Sequence, residues 1–442
     1  MKFEHLFSPM QVGKVTYRNR IVSAPMAFGL IVQNPDARDF TYRKLEASAK
    51  GVIVGETDVN FTDAVRIPGF RPFDFAKPEE DPETFDAVGE YARRIKRHGA
   101  VALAELVHCG KEKVPFGPGQ EAIGPIETTN LAGVKVRPMN EDDMARIARD
   151  FAVSATYMQK AGFDGVLIHG GHGFLFTQFL SPLMNTRTDS YGGSLENRAR
   201  FPLMVLDRIR ERVGRKLLIE YRISGDELWP DGRGYHVEDC IQMIEHLQDR
   251  IDIAHISTGA FYNGTENITH PTEFLPHGCN AKFAAAVKAD PRIKIPVLTL
   301  GAFQDADLIE QTLAEGKADI IAMARGTIAD PYTVEKSREG RPQDIVPCIK
   351  CFHCLDDFKK THYYSCAVNP IAGRETQLDM LVPKEYTKEN VAIVGGGPGG
   401  MKAALLAAER GHTVTLFEKE EKLGGQLNDA DFMSFKYDLK NY

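Results

Sequence analysis

The stretch Cys348-Ile-Lys-Cys351-Phe-His-Cys354 divides this chain of 442 residues into two regions of different character. Cys366 follows with eleven residues between it and Cys354, so four of the seven cysteines lie within nineteen residues. The longer region before this cysteine segment (residues 348–366) has the pattern of one large domain. The shorter region after it begins a second domain, so the fold is decided separately on each side.

The cysteine spacing, C-x2-C-x2-C-x11-C, is typical of metal ligation. A structural zinc site usually uses two separated C-x2-C pairs, whereas three cysteines in one run with a distant fourth resemble the ligation of a cubane iron–sulfur cluster. His353 lies inside the run, so a mixed zinc site stays open, and free thiols are a third alternative. The other cysteines are scattered and are expected to be ordinary thiols: Cys109, Cys240 and Cys279.

The composition is that of an ordinary globular protein, with 43% hydrophobic residues, 26% charged residues and a net charge of −7. There is no run of Lys and Arg, which excludes nucleic acid as an expected partner. The first residues lack the apolar core of a signal peptide, and no apolar run reaches the roughly 18 residues of a membrane span. We therefore expect a cytoplasmic protein without a membrane partner, in a compartment where clustered thiols stay reduced.

Before the cysteine segment, strand-like runs alternate strictly with helix-like segments. The runs are apolar and rich in β-branched residues, as strands buried on both faces should be. They are Arg20–Ala24, Gly51–Thr57, Val101–Val107, Gly165–His169, Leu217–Ile223, Ile253–Ser257, Pro296–Leu300 and Ile320–Ala324. The intervening segments are amphipathic: Asp81–His98, Asn140–Ala161, Leu195–Val213, Val237–Leu247, Ala281–Ala289 and Asp305–Glu315. This pattern predicts a (β/α)8 TIM barrel over residues 1–335. An open, doubly wound sheet is the alternative, and the absence of a Gly-rich turn after the first strand counts against it.

In such a barrel, functional side chains lie at the carboxyl ends of the strands. The residues at those ends are Met26, Ala27, Glu105, His108, His169, His172, Arg222, Ser257, Thr258, Gly301 and Arg325. A single His or Glu at a strand end is more often a structural group than a catalytic one, but the convergence of many on one face favours a site. Gly301 and Arg325 follow the last two strands, where barrels often bind phosphate, so a phosphorylated cofactor is expected there.

A glycine-rich motif, NVAIVGGGPGG, spans residues 390–400. Gly395, Gly397 and Gly400 follow an apolar strand, a helix is predicted over Ala403–Arg410, and a second strand, Thr413–Phe417, ends at Glu418. This order predicts a dinucleotide-binding βαβ unit, with the pyrophosphate at the helix N-terminus and a ribose hydroxyl on the acid. Two strands cannot complete such a domain, so a truncated or vestigial unit is expected, and FAD or NAD(P)H binding would need a completing segment or partner.

Together the motifs resemble the Old Yellow Enzyme superfamily, in the branch of 2,4-dienoyl-CoA reductase, enoate reductases, bile-acid-inducible oxidoreductases and trimethylamine dehydrogenase. The matching stretches are LFSPMQVGKVTYRNRIVSAPM near the start, IHGGHGFLFTQFLSPLMNTRTDSYGGSLENRARF in the middle, RGTIADP after the last barrel strand, the four cysteines, and VGGGPGG. The resemblance implies three regions: an FMN-binding barrel over 1–335, an iron–sulfur segment over 336–386, and an incomplete FAD/NAD(P)-binding unit over 387–442.

The resemblance also implies site residues. Pro25, Met26 and Ala27 would line the flavin ring, and Ala27 replaces a Cys or Thr that tunes the flavin in some members. Glu105 stands where the family usually has Gln beside the pyrimidine edge, and Arg222 would lie near flavin N1 and O2. The phosphate loops would contain Gly301 and Arg325, and a [4Fe-4S] cluster would bind Cys348, Cys351, Cys354 and Cys366.

His169 and His172 match the family's pair that hydrogen-bonds a substrate carbonyl oxygen. The family often has a proton-donating Tyr two residues after the second His, where this chain has Phe174. Tyr262 is a candidate replacement.

The resemblance implies an FMN and iron–sulfur oxidoreductase that transfers hydride to an activated C=C bond of an α,β-unsaturated carbonyl or enoyl-CoA substrate. Electrons would come from a nicotinamide or an external donor, and a homo-oligomer is compatible with this. The alternatives are oxidative dehydrogenation of an amine or steroid, and an electron-relay subunit without its own catalysis.

Overall fold

The computed structural model describes residues 2–26, 54–60, 82–113, 121–261, 266–361, 364–374, 387–430 and 432–442. The chain divides into two compact units, Met1–Ile345 and Val346–Tyr442. We call them the barrel unit and the C-terminal unit. The boundary falls just before the cysteine segment, and the finer division into three regions stays a prediction.

The barrel unit contains a closed barrel of eight parallel strands, which confirms the predicted TIM barrel. Around the barrel the strands are β3 (Ile21–Ser23), β4 (Val54–Asn60), β5 (Val101–Val107), β9 (Gly165–His169), β10 (Leu218–Ser224), β11 (Ile253–Ser257), β12 (Val297–Thr299) and β13 (Ile320–Met323). Each lies within the predicted run or overlaps it. A hairpin, β1 (Met10–Val12) and β2 (Val15–Tyr17), precedes them, and a small sheet of β6 (Ala122–Gly124), β7 (Thr128–Thr129) and β8 (Lys135–Pro138) is inserted after β5.

The lower part of the barrel interior is an apolar core. Leu103, Leu218 and Leu298 project into it from three strands, and the hairpin closes it with Val12 and Tyr17. The strands are buried on both faces because helices cover their outer side, which is why the runs read as continuously apolar. All five residues of β9 are buried.

Helices connect the strands, as the alternation predicts. In the barrel unit they are α1 (Pro82–Lys96), α2 (Glu141–Ala161), α3 (Leu175–Leu180), α4 (Leu195–Val213), α5 (Val237–Leu247), α6 (Glu266–Thr269), α7 (Ala281–Ala289), α8 (Ala306–Ala314), α9 (Arg325–Ala329) and α10 (Thr333–Arg338). The start of α2 is fixed by a capping box between Asn140 and Asp143, and its end by Gly162 in the left-handed region at φ 100°. Within the described residues, no helix has the length and apolar character needed to cross a membrane.

The C-terminal unit contains the predicted βαβ element. Its described elements are α11 (His353–Thr361), β14 (Asn390–Val394), α12 (Pro398–Glu409), β15 (Thr413–Phe417), α13 (Leu427–Ala430) and α14 (Tyr437–Asn441), with β14 and β15 parallel. Helix α12 begins at Pro398 rather than at the predicted Ala403. Gly397 caps it, and proline is favoured in the first turn because its missing N–H is not needed there.

Candidate active site

Four neighbouring strands bring charged and polar side chains together inside the carboxyl end of the barrel. Glu105 lies on β5, His169 on β9, Arg222 on β10 and Ser257 on β11, and all four are buried. Register explains the convergence, because Arg222 is opposite His169 on one side and opposite His255 on the other. Side chains in register on parallel neighbours share a face, so these residues point into one space.

Hydrogen bonds join these groups into a continuous path. Glu105 Oε1 lies 3.1 Å from His169 Nδ1, and His169 Nε2 lies 3.1 Å from His172 Nδ1. His172 Nε2 lies 2.6 Å from Ser257 Oγ. We call Glu105, His169, His172 and Ser257 the histidine chain. A carboxylate only accepts, so the partners assign Nδ1–H donors to both rings and an O–H donor to Ser257, which sets one direction along the path.

Arg222 supplies the positive charge of the site. Its Nη1 lies 3.5 Å from Glu105 Oε1, and its Nε has no hydrogen-bond partner within the described part of the chain. Burial disfavours the charge on Glu105, but His169 and Arg222 outweigh burial and hold the pKa of that carboxyl below its usual range. Because Arg222 is a permanent cation, it is the partner that keeps Glu105 ionised.

The two histidines are neutral. Burial lowers the pKa of His169, with Arg222 acting in the same direction and Glu105 opposing. Burial lowers the pKa of His172 further, helped by Arg222 and His169. Neutral rings agree with the path of single donors and acceptors along the histidine chain.

The backbone around His172 is unusual. His172 has φ 58°, in the left-handed region that non-glycine residues seldom occupy. Its N–H donates to Ser224 Oγ at 3.1 Å, and His172 forms an isolated parallel β-bridge with Ala260. A Cβ on Gly170 would lie 2.4 Å from the Tyr221 ring, so glycine is required for the chain to pass that side chain. The two histidines are thus aimed at one another by a tightly constrained turn.

Aromatic rings lie beside the histidines. The centroid of Phe174 is 4.7 Å from that of His169, and Phe261 lies 5.6 Å from both Phe174 and His172. His270 stacks on Phe261 at 5.5 Å. Phe174, Phe261 and His270 form an apolar wall, which we call the aromatic wall.

The other predicted barrel residues lie around the same end. Pro25 and Met26 follow β3, whereas Ala27 and Tyr262 fall outside the described residues. Gly301 follows β12 at φ 139°, where a Cβ would lie 2.9 Å from the backbone N of Asn280.

Arg325 opens α9 and donates to the carbonyl of Pro271 at 2.6 Å. The buried cation of Arg222, whose Nε–H has no partner among the described residues, is the feature that suits a flavin, because the pyrimidine edge of a flavin becomes negative on reduction. The residues present therefore fit a flavin at this end of the barrel.

The four cysteines of the cysteine segment differ in their exposure to solvent. Cys354 is buried, Cys351 is exposed, and Cys348 and Cys366 are half-buried. Among the described residues, no three His, Cys, Asp or Glu side chains are arranged to hold a metal ion.

The loop around Cys351 is nonetheless tightly built. Lys350 and Phe352 have φ 54° and 63°, and Lys350 is buried with its Nζ 3.3 Å from Asp438. Metal binding by the cysteine segment stays a prediction.

In the glycine motif, each glycine has a different surrounding. A Cβ on Gly400 would lie 1.9 Å from the carbonyl oxygen of Gly395, so the third glycine allows close packing of helix and strand. A Cβ on Gly397 would meet nothing within 4 Å. Glu418 accepts the N–H of Gly396 at 2.6 Å. The carboxylate predicted to bind a ribose is therefore held by the loop, and its role toward a nucleotide stays a prediction.

Two buried residues of the barrel interior were missed by sequence reasoning, Glu220 and His255. Each lies inside a predicted strand, in the runs LLIEYRI and IAHIS. A charged residue within a run that is otherwise apolar was the available signal, because such residues are seldom fully buried without a partner.

The family described as NADH:flavin oxidoreductase / NADH oxidase matches residues 5–344. This chain belongs to that family. A second match, to FAD dependent oxidoreductases, covers residues 390–437. The chain is therefore a flavin-dependent oxidoreductase with an added nucleotide-binding-like unit, as the motifs predicted.

Its relatives are longer proteins. The chain is 33% identical to an NADH oxidase of Thermoanaerobacter brockii, over 99% of this chain and 67% of that protein. It is 32% identical to a cinnamate reductase of Clostridium sporogenes, over 99% of this chain and 68% of the relative. A solved 2-naphthoyl-CoA reductase complex superposes with a TM-score of 0.89 at 27% identity, over 99% of this chain and 68% of the other. The chain thus spans about two thirds of the length of these proteins.

Proposed function

We propose that this flavin-dependent oxidoreductase binds FMN in its barrel and reduces an activated C=C bond of an α,β-unsaturated carbonyl or enoyl-CoA substrate. The observation that carries the proposal is the histidine chain beside Arg222. A buried cation and a set of aligned donors suit a reaction in which negative charge develops on a cofactor and on a carbonyl oxygen. The names of the cinnamate and 2-naphthoyl-CoA reductases agree with this substrate class.

The chemistry that a bound FMN supplies is transfer of a hydride to the β-carbon of the substrate. Arg222 would face the pyrimidine edge and stabilise its negative charge. His169 and His172 would stabilise the developing charge on the carbonyl oxygen. Their N–H groups already have acceptors, so the substrate oxygen must replace one of them. For His172 the acceptor to be replaced is His169 Nε2, which lies 3.1 Å from His172 Nδ1.

The aromatic wall would exclude water from the reacting carbons and pack against a conjugated acyl group. Phe174 carries no exchangeable proton, so protonation of the α-carbon has to come from another group. Tyr262 stays the proposed donor, and it lies outside the described residues.

The electron supply is a separate part of the proposal. A [4Fe-4S] cluster on Cys348, Cys351, Cys354 and Cys366 is supported by the spacing of these cysteines. Binding of FAD or NAD(P)H at the Gly395–Gly400 turn is supported by the match of residues 390–437. A nicotinamide or an external donor would deliver electrons, and no step of the barrel chemistry described above depends on the cluster.

The deciding experiment is anaerobic purification followed by a visible spectrum and by identification of the released flavin. Reduced viologen and NADH are then compared as donors to enones and enoyl-CoAs, with amine oxidation as a parallel assay. Bound FMN with reductase activity is expected. A chain that binds no flavin overturns the proposal, and amine oxidation without reductase activity replaces it by the oxidative alternative.

The histidine chain is tested by His172→Ala, with His246→Asn on helix α5 as the control. Loss of an aligned donor should lower kcat by about 100- to 1,000-fold, while the control keeps the activity of the unmodified chain. Cys351→Ser should abolish iron binding and leave the flavin in place. Loss of both cofactors in that variant would contradict their assignment to separate units.

A further inference from the structure

Below the histidine chain, the barrel interior contains a second pair of polar side chains. Glu220 on β10 and His255 on β11 are both 0% exposed, and Glu220 Oε1 lies 2.5 Å from His255 Nδ1. Glu220 precedes Arg222 by two residues, so both side chains lie on the inner face of β10 about 6.6 Å apart along the strand. His255 is in register with Arg222 on the neighbouring strand. Glu220 therefore lies one side-chain layer below Arg222, and His255 reaches it from the neighbouring strand at the level of Arg222.

The surroundings of the pair are mostly apolar. Leu167 on β9 is in register with Glu220, and Leu298 on β12 is in register with His255. Among the charged and titratable groups that face His255 are Glu220 and Arg222 from β10, His169 from β9, and His172 from the turn after β9. Arg222 is the permanent cation among these groups, so a charge on Glu220 acts on it in a low-dielectric interior where charge interactions are strong.

The hydrogen bonds of Glu220 and His255 indicate the charge that the pair carries. His255 Nδ1–H donates to Glu220, and His255 Nε2 has no hydrogen-bond partner within the described part of the chain. A second proton on that ring would create a buried cation whose N–H had no acceptor, which is costly. Burial, Arg222 and His169 all lower the pKa of His255 well below its usual range. His255 is therefore neutral and donates to Glu220, so a carboxylate at Glu220 keeps this hydrogen bond and lies near the cation of Arg222.

We propose that Glu220, oriented by His255, is a fixed negative charge that acts through Arg222 to lower the reduction potential of the flavin bound above it. The inference rests on the proposed function, because it needs a flavin beside Arg222. Reduction adds negative charge to the pyrimidine edge, and Arg222 favours that charge. A carboxylate beneath Arg222 offsets part of its field, so reduction becomes less favourable and the reduced flavin becomes a stronger hydride donor. Glu220 and His255 are positioning residues, since they reach the flavin only through Arg222.

The test is the midpoint potential of the bound flavin in Glu220→Gln, measured by equilibration with redox dyes. Removing the charge should shift the ratio of reduced to oxidised flavin about tenfold at a given potential, a rise of about 30 mV for a two-electron couple. His255→Leu should raise the midpoint potential too, because the negative charge of Glu220 is less favoured without its hydrogen-bond donor. The double variant should therefore have nearly the same potential as Glu220→Gln.

Glu227→Gln is the matched control, because Glu227 is equally buried but accepts from Ser181 Oγ at 2.9 Å, outside this pair. An unchanged or lower potential in Glu220→Gln, or an equal rise in the control, overturns the proposal.

A second measurement determines which ring nitrogens of His255 carry a proton in the unmodified chain. Nitrogen-15 NMR of the histidine rings, with His255 assigned by its absence in His255→Leu, should show a protonated Nδ1 and a bare Nε2. A doubly protonated His255 would contradict the assigned charge. A chain without flavin would instead contradict the proposed function, so the two failures are distinguishable.

Discussion

The two units pair parallel strands in the same way and surround them differently. In the barrel unit, all five residues of β9 are buried, including Val166. In the C-terminal unit, residues of β14 alternate between exposed and half-buried, and Val394 is 87% exposed. Helix α12 contains no buried residue, although it connects two parallel strands. A strand that is covered on both faces and one that is not thus occur in a single chain.

This difference in burial determines how strongly charged side chains interact in each unit. Glu105, Glu220 and Arg222 are held inside a closed shell that excludes water and fixes their partners. Glu418, directly after β15 in the C-terminal unit, is only half-buried, and solvent screens its interactions. We therefore expect substitutions in the barrel interior to have large effects and equivalent changes in the βαβ element to have small ones. Trp229, the single tryptophan, lies in the barrel unit and reports its unfolding by fluorescence.

The largest effect is expected for Arg222→Met. The substitution leaves Glu105 buried without its cation, which should lower the free energy of unfolding by about 3–5 kcal/mol. Urea unfolding followed by Trp229 fluorescence measures it. Adding Glu105→Gln should recover part of the loss, and an additive or greater loss in the double variant would contradict the pairing.

Glu227 should make the barrel less stable as pH rises. Burial raises the pKa of its carboxyl from 4.5 to about 7. A group with a raised folded-state pKa contributes stability fully below its unfolded pKa and loses it as pH rises through the folded value. The unmodified chain should therefore lose roughly 3 kcal/mol between pH 4.5 and 7 relative to Glu227→Gln. Parallel urea titrations at several pH values measure this, and a constant difference would refute it.

A matched pair of glycines compares the two units directly. A Cβ on Gly165 would lie 2.8 Å from Leu218 Cβ, so Gly165→Ala should cost about 1–3 kcal/mol by overpacking. Gly397→Ala places its Cβ in open space, so it should cost only the difference between Gly and Ala at an N-cap, about 0.5 kcal/mol. Trp229 fluorescence follows the first variant and hydrogen exchange of α12 the second. Equal losses of stability in the two variants would contradict the expected difference between the two units.

The smallest effects are expected for a second matched pair, Val166→Thr and Val394→Thr. The hydroxyl is buried in the first case and should cost about 1 kcal/mol. In the second case it faces solvent, and the change should stay within about 0.5 kcal/mol. Hydrogen exchange of β9 and β14 reports each strand separately.

The barrel could be predicted because its strands are apolar throughout and its helices alternate with them. The start of α12 was missed because the residues Gly-Pro-Gly-Gly have low helix propensity, whereas their capping role depends on position. The positions of Glu105, His169 and Arg222 toward the carboxyl ends of the strands could be predicted from the apolar runs, whereas their roles stay predictions. Their hydrogen-bond partners could not, because these follow from strand register, which places Arg222 opposite both His169 and His255.

The left-handed backbone of His172 makes stability and activity compete at this turn. A histidine at φ 58° holds its conformation against a strain of about 1 kcal/mol or more. His172→Gly would relieve that strain and remove the imidazole. The variant should be inactive, and the relief of strain should offset part of the stability lost by removing a buried side chain. The turn is thus a point of trade-off between stability and activity, where selection for a sturdier fold and selection for turnover act in opposite directions.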